Sequence, residues 1–133
     1  MKSAVYLKAG QVGLVEMDHP QILDPDDAII RIVRTCVCGS DLWRYRSPDI
    51  EKGHPNSGHE AIGIVEEVGE AVTTVKAGDF VIAPFTHGCG DCDACRAGYD
   101  GTCDRHIGNN WSDGVQAEYM RFKYANWALV KIP

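Results

Sequence analysis

Apolar and polar residues alternate in short runs along this chain, and turn residues separate the runs. Residues 3–8 (Ser-Ala-Val-Tyr-Leu-Lys) and 12–17 (Val-Gly-Leu-Val-Glu-Met) have the length and period of strands, with Ala9, Gly10 and Gln11 as a hairpin turn. Residues 28–35 (Ala-Ile-Ile-Arg-Ile-Val-Arg-Thr) and 61–68 (Ala-Ile-Gly-Ile-Val-Glu-Glu-Val) read as half-buried strands, the second closed by Gly69. Gly78-Asp79 turns into Phe80-Val81-Ile82-Ala83, and strand character returns at 115–122 and 127–132. A short helix is expected from Asp41 to Arg46, with Ser40 as its N-cap and Asp41 as a favourable first-turn acid. About seven short strands with so little helix predict a mainly β domain, a barrel or a sandwich.

Residues 86–113 break the pattern. They are rich in Cys, Gly and Asp and have no apolar period, so their order must come from something other than a core. Within them Cys89, Cys92, Cys95 and Cys103 form Cys-x2-Cys-x2-Cys-x7-Cys. Steps of three residues let a tight loop, eased by Gly88, Gly90, Gly98 and Gly101, aim its sulfurs at one point. Four thiolates surround Zn2+ tetrahedrally at about 2.3 Å and leave no open position, so such a site is structural rather than catalytic. An iron–sulfur cluster shares part of this spacing. Unpaired thiols or disulfides are the plain alternative.

Composition narrows the function classes. A chain of 133 residues, 44% hydrophobic, is ordinary for one globular domain, which excludes disorder. No apolar run is long enough to cross a membrane. Thirteen Lys and Arg against 19 Asp and Glu give a net charge of −6, which argues against a nucleic-acid partner. A zinc ribbon is disfavoured too, because ribbons separate two Cys-x2-Cys pairs more widely. The chain runs straight into strand-like sequence without a signal peptide, so a cytoplasmic location is expected and the six cysteines point to metal or chemistry rather than disulfides.

A second cluster of donors flanks two strands. Cys38-Gly39-Ser40-Asp41 follows residues 28–35, and Gly58-His59-Glu60 opens residues 61–68. A thiolate, an imidazole and a carboxylate at two strand ends could hold a metal with one position open, the arrangement of a catalytic zinc. Taken singly, Cys38 reads as a small buried hydrophobe, Ser40 as a helix cap and His59 as a loop residue.

The motifs occur together and in one order: Cys-Gly-Ser-Asp at 38–41, Gly-His-Glu at 58–60, Val-Gly-x-x-Val-x-x-x-Lys-x-Gly-Asp-x-Val from Val68 to Val81, and the four-cysteine loop. This resembles the zinc-dependent medium-chain alcohol dehydrogenase family, in its N-terminal GroES-like catalytic domain, over essentially the whole chain. The resemblance implies a partly open β-barrel over residues 1–133, with a few short helices and a structural zinc loop at 86–105. It implies that Cys38 and His59 bind a catalytic Zn2+ and that Glu60 sits beside the metal, ligating it in some members. It also implies that Asp41 orients the histidine, that Ser40 passes on the alcohol proton, and that Cys89, Cys92, Cys95 and Cys103 hold a structural Zn2+. The implied reaction is reversible oxidation of a small alcohol to an aldehyde or ketone, by zinc-alkoxide activation and hydride transfer to NAD or NADP. The full-length form is expected to be a homodimer or homotetramer.

The chain departs from the family in several places. Trp43 stands where many members carry a relay histidine, and reads as a pocket wall or a half-buried helix aromatic. Cys36 is an extra thiol, expected to pack as a strand residue. His19, His54, His87 and His106 match no family ligand and read as loop histidines. No Gly-x-Gly-x-x-Gly dinucleotide turn is present, nor a further acidic or Cys ligand from a later segment. The expectation is therefore a truncated product or an excised domain, inactive alone. The rival expectation is a complete zinc-binding structural or interaction module with a vestigial site.

Overall fold

Two antiparallel β-structures share the chain, and one of them holds the helix that begins just after Cys38. The structure, a computed structural model, describes residues 1–47, 57–105 and 114–133. β1 (Lys2–Lys8) and β2 (Gln11–Glu16) pair as the expected hairpin. β3 (Ala28–Thr35), β4 (Ala61–Val68), β5 (Phe80–Ala83), β6 (Tyr119–Phe122) and β7 (Val130–Lys131) form a five-stranded sheet in the order β6-β3-β4-β5-β7. Every pairing in it is antiparallel. Three short α-helices, α1 (Gly39–Arg46), α2 (Asp93–Arg96) and α3 (Ala125–Ala128), and a 3-10 turn at Asp100–Thr102 complete the regular elements among the described residues. The architecture is mainly β with open sheets, as the sequence predicts. No helix among the described residues is long and apolar enough to cross a membrane.

The core forms where the alternating strands turn one face inward. Ala28, Ile30, Val65, Val81, Met120 and Phe122 bury together, with Phe122 fully enclosed. β3 and β4 pair from Ala28↔Val68 to Thr35↔Ala61 through two register shifts. Such shifts twist a strand pair and re-aim its ends.

Two expected strands are shorter than their sequence pattern. Residues 115–118 do not extend β6. Gln116 accepts from Ala4 N at 2.8 Å, Glu118 N donates to Lys2 at 3.1 Å, and Ala117 bridges Ser3, so this segment ties the hairpin to the sheet, where Glu118 O accepts from Ile32 N at 2.9 Å. Residues 127–132 are not one strand either. Tyr124 adopts a left-handed backbone (φ 55, ψ 46), the chain makes the single helical turn of α3, and only Val130–Lys131 pair with β5.

A buried ion pair fixes the start of β3. Asp27 is fully buried, and its Oδ2 accepts from Arg121 Nε at 2.6 Å, Asp24 N at 2.7 Å and Leu23 N at 3.0 Å. Arg121 also donates to the exposed Asp24 carboxylate at 2.6 Å. Arg121→Ala leaves a buried carboxylate without its cation and is expected to cost about 3–5 kcal/mol of stability. Asp24→Ala, at the exposed end, is expected to cost less than about 1 kcal/mol. Urea unfolding checks the pair of values; equal losses would contradict this account of Asp27.

Candidate metal centres

The first centre grows from strand pairing. Thr35 ends β3 opposite Ala61, which begins β4, so the chain leaving β3 and the chain entering β4 run side by side. Gly58 must take φ 77 to bring the chain round to His59, and a Cβ there would stand 2.6 Å from Gln116 Cγ. Ser57 O accepts from Gln116 N at 2.9 Å and holds the same bend.

α1 starts one residue past Cys38, not at Asp41. Cys38 is its N-cap residue, and the Asp41 carboxylate reaches back to accept from Cys38 N at 2.9 Å. This is the reciprocal half of a capping box, and it makes Asp41 rather than Ser40 the capping group. The hairpin clamps this helix. Tyr6 OH donates to Asp41 O at 3.2 Å, Gly10 N to Tyr45 O at 2.6 Å, and Tyr45 OH to Gly10 O at 2.7 Å. Burial of the Tyr6 phenol raises its pKa, with the Asp41 carboxylate adding to the effect, so it stays a donor.

The donors converge. Cys38 Sγ lies 2.8 Å from His59 Nε2 and 2.8 Å from Ser40 Oγ, and Ser40 Oγ lies 3.1 Å from the same ring nitrogen. Cys38, His59 and Glu60 each bring a ligand atom within 4.8 Å of the others. The opposite ring nitrogen, His59 Nδ1, faces buried Asp41 Oδ1 at 3.5 Å. A carboxylate behind an imidazole fixes the tautomer that leaves Nε2 free for a metal. The Phe85 ring meets the His59 ring edge-on at 4.4 Å. Beyond it opens a cleft of about 450 Å³ lined by Ala61, Ile62, Ile82, Ala83 and Pro84. The donor set fits zinc: a thiolate, an imidazole and a carboxylate, with Cys38 and His59 needing to part by less than about 1 Å to stand at tetrahedral spacing.

Cys36 departs from its expected role. β3 ends at Thr35, so Cys36 is exposed beyond the strand rather than packed on its face. Its thiol donates to Glu60 Oε2 at 2.6 Å, and that hydrogen bond holds its pKa above the ordinary thiol value. Trp43 is 82% exposed, not half-buried, and borders a hollow with Leu42 and Arg46.

The second centre is the cysteine loop. Cys89, Cys92, Cys95 and Cys103 bring their sulfurs within 4.8 Å of one another, and none forms a disulfide. Cys92 Sγ and Cys103 Sγ stand 3.8 Å apart, a sulfur–sulfur contact and not a disulfide. A zinc tetrahedron with bonds of about 2.3 Å has edges of about 3.8 Å. Backbone N–H groups aim at the sulfurs: Asp91 and Cys92 at Cys89 Sγ (both 3.4 Å), and Arg105 at Cys103 Sγ (3.3 Å). Gly88 passes so close to Cys95 Sγ that a Cβ would stand 2.5 Å from it.

The four thiols stand in unequal surroundings. Backbone N–H groups of Cys95 and Asp104 draw the Cys92 thiol down to about 6, whereas burial pushes the Cys95 thiol up to about 12. One sulfur is ready to ionise and its neighbour resists. A metal ion bound at their centre would hold both as thiolates, because coordination deprotonates a thiol outright. The three buried sulfurs form a cluster apart from the main core, with Cys92 and Tyr124 packed against it.

Among the described residues, His19 and His87 belong to neither donor set. His87 is buried and stacks on Phe122 at 4.7 Å, and burial lowers its pKa. His19 lies 4.3 Å from the Tyr119 ring and 3.7 Å from Glu66. His54 and His106 lie outside the described residues.

Known proteins share this arrangement of chain. Residues 24–133 match the family described as the alcohol dehydrogenase GroES-like domain. The chain is similar to zinc-type alcohol dehydrogenase B of Aspergillus flavus, at 34% identity over 100% of this chain and 32% of that protein. The structure is similar to alcohol dehydrogenase TADH from Thermus sp. ATN1, with a TM-score of 0.91 and 34% identity over 100% of this chain and 40% of that one. It is also similar to the apo form of zinc dependent alcohol dehydrogenase 2 from Streptococcus pneumonia, with a TM-score of 0.87 and 42% identity over 100% of this chain and 39% of that one. The chain thus spans well under half the length of these relatives.

A loop ordered by metal should come undone with it. Zinc-loaded chain is expected to resist trypsin at Arg96 and Arg105, and chelator-stripped chain to be cut there first. Cys95→Ser is expected to behave like the stripped chain. Mass spectrometry of the early fragments checks this, and equal cleavage with and without metal would contradict it.

Proposed function

The chain belongs to the alcohol dehydrogenase GroES-like domain family, and from that premise we propose that it is the metal-holding catalytic portion of a zinc-dependent dehydrogenase. The proposed reaction interconverts a small alcohol and its aldehyde or ketone, with NAD or NADP taking or giving the hydride. The observation that supports it most directly is the convergence of Cys38, His59 and Glu60 donors within 4.8 Å.

In this reading Cys38 and His59 are ligands of the catalytic zinc, and Glu60 supplies a carboxylate at its side. Bound there, zinc supplies Lewis-acid polarisation of the substrate oxygen. The protein residues do the rest. Asp41 holds the His59 ring so that Nε2 faces the centre, while also capping α1 through Cys38 N. Ser40 is exposed on one side and hydrogen-bond close to Cys38 and His59 on the other, so its hydroxyl can carry the substrate proton outward. Trp43 has no group that accepts a proton, so the path runs from Ser40 directly to water. Phe85 and the apolar cleft beside Glu60 suit an uncharged organic substrate. Cys89, Cys92, Cys95 and Cys103 hold a second zinc whose work is structural.

The dinucleotide site is not built from these residues. All strand pairings among them are antiparallel, and the sequence has no Gly-x-Gly-x-x-Gly turn. The 133-residue chain is therefore expected to bind metal and alcohol without turning over.

Zinc analysis of the purified chain is expected to give two equivalents, one lost in Cys38→Ser and in His59→Ala and the other lost in Cys95→Ser. With Co2+ at the first centre, a small alcohol is expected to shift the visible absorption by entering the open position. A single equivalent unaffected by Cys38→Ser, or NAD(P)-linked alcohol oxidation by this chain alone, would contradict the proposal.

A further inference from the structure

Glu60 is tied at both its main chain and its side chain. It sits one residue before β4, and Thr35 Oγ1, at the end of β3, donates to its carbonyl at 2.9 Å. Its carboxylate Oε2 accepts from the Cys36 thiol at 2.6 Å. Cys36 itself is steadied from a third segment, where Gln116 Nε2 donates to its carbonyl at 3.5 Å. The donor cluster within 4.8 Å comprises Cys38, His59 and Glu60. Cys36 stands outside that set and touches it through Glu60.

We propose that Cys36 is a positioning residue: its thiol holds the Glu60 carboxylate against Cys38 and His59, in place to serve a metal. This rests on the reading of Cys38, His59 and Glu60 as metal ligands. Three features of the geometry carry it. A glutamate side chain has several rotatable bonds, and a bond on its far oxygen removes most of their freedom. A carboxylate has two oxygens with room for about four donors, so an S–H on Oε2 leaves Oε1 for the metal. A thiol donating to a charged carboxylate also makes a stronger bond than to a neutral acceptor. The same register that sets Thr35 against Ala61 brings Cys36 to Glu60, so the contact is a product of the fold. Cys36 is exposed, and its replacement leaves the core intact.

The test is Co2+ titration of the 133-residue chain, with the four-cysteine centre first filled by zinc as an internal control. Parent, Cys36→Ala, Cys36→Ser, Glu60→Gln and Cys36→Ala/Glu60→Gln are compared by chelator competition and visible absorption. Cys36→Ala is expected to weaken Co2+ at the Cys38 centre about 10- to 100-fold, the usual cost of losing a group that orients a ligand. Cys36→Ser, which keeps a donor, is expected to stay within about threefold of the parent. In the Glu60→Gln background the effect of Cys36→Ala is expected to vanish, since Cys36 acts through that carboxylate. Undiminished affinity in Cys36→Ala, or a loss that persists in the Glu60→Gln background, would overturn the inference. So would loss of sulfur-to-cobalt absorption in Cys36→Ser, which would make Cys36 a ligand. Those outcomes leave the ligand reading standing. A parent chain that binds no Co2+ at Cys38 overturns that reading, and this inference with it.

Discussion

Thr35 lies opposite Ala61 at the last rung of the β3–β4 pair, and the first candidate metal centre is built from what hangs off that rung. In an antiparallel pair the exit of one strand and the entrance of the next share an edge of the sheet. Cys36 and Cys38 leave along that edge, and His59 and Glu60 arrive along it. A one-residue slip of either strand would turn that strand's inward face outward, so the core favours the rung. Ile30, Val65 and Val81 are buried together in this register. The stability of the sheet and the placement of the donors are therefore one constraint. The hairpin adds a second fix by holding α1 through Tyr6 and Tyr45, which sets Ser40 and Asp41 against His59.

The cysteine loop is ordered on different terms. It has no apolar face to bury, and its sulfurs form a cluster of their own beside the core. Backbone N–H groups point at sulfur where an ordinary loop would point them at oxygen or water. That pattern suits thiolates around a cation. Tyr124, in its left-handed conformation, packs on this cluster and begins the turn into α3, so the loop and the last strand are joined.

Much of this was legible in the sequence. The strands at 28–35, 61–68 and 80–83 have the predicted bounds, because alternation over an antiparallel sheet with one buried face is a strong local signal. The four sulfurs were legible from spacing alone, since three-residue steps confine them to one small loop. The start of α1 was misplaced because Ser40 is the better capping residue by type, while the capping bond comes from Asp41 reaching backward. Residues 115–118 alternate like a strand but divide their hydrogen bonds among β1, Ser57 and β3, a long-range choice that no local pattern reports. Cys36 was assigned to a strand face two residues from Cys38, but β3 stops at Thr35. Its partnership with Glu60 depends on register, which the long stretch of chain between them conceals.

The most direct test of the central claim, that β3–β4 pairing assembles a metal centre, is X-ray diffraction from zinc-loaded crystals of this chain at the zinc absorption edge. The account predicts two anomalous peaks per chain. One lies among Cys89, Cys92, Cys95 and Cys103, and the other lies between Cys38 Sγ, His59 Nε2 and the Glu60 carboxylate. A filled four-cysteine site with no peak beside Cys38 and His59 would contradict it.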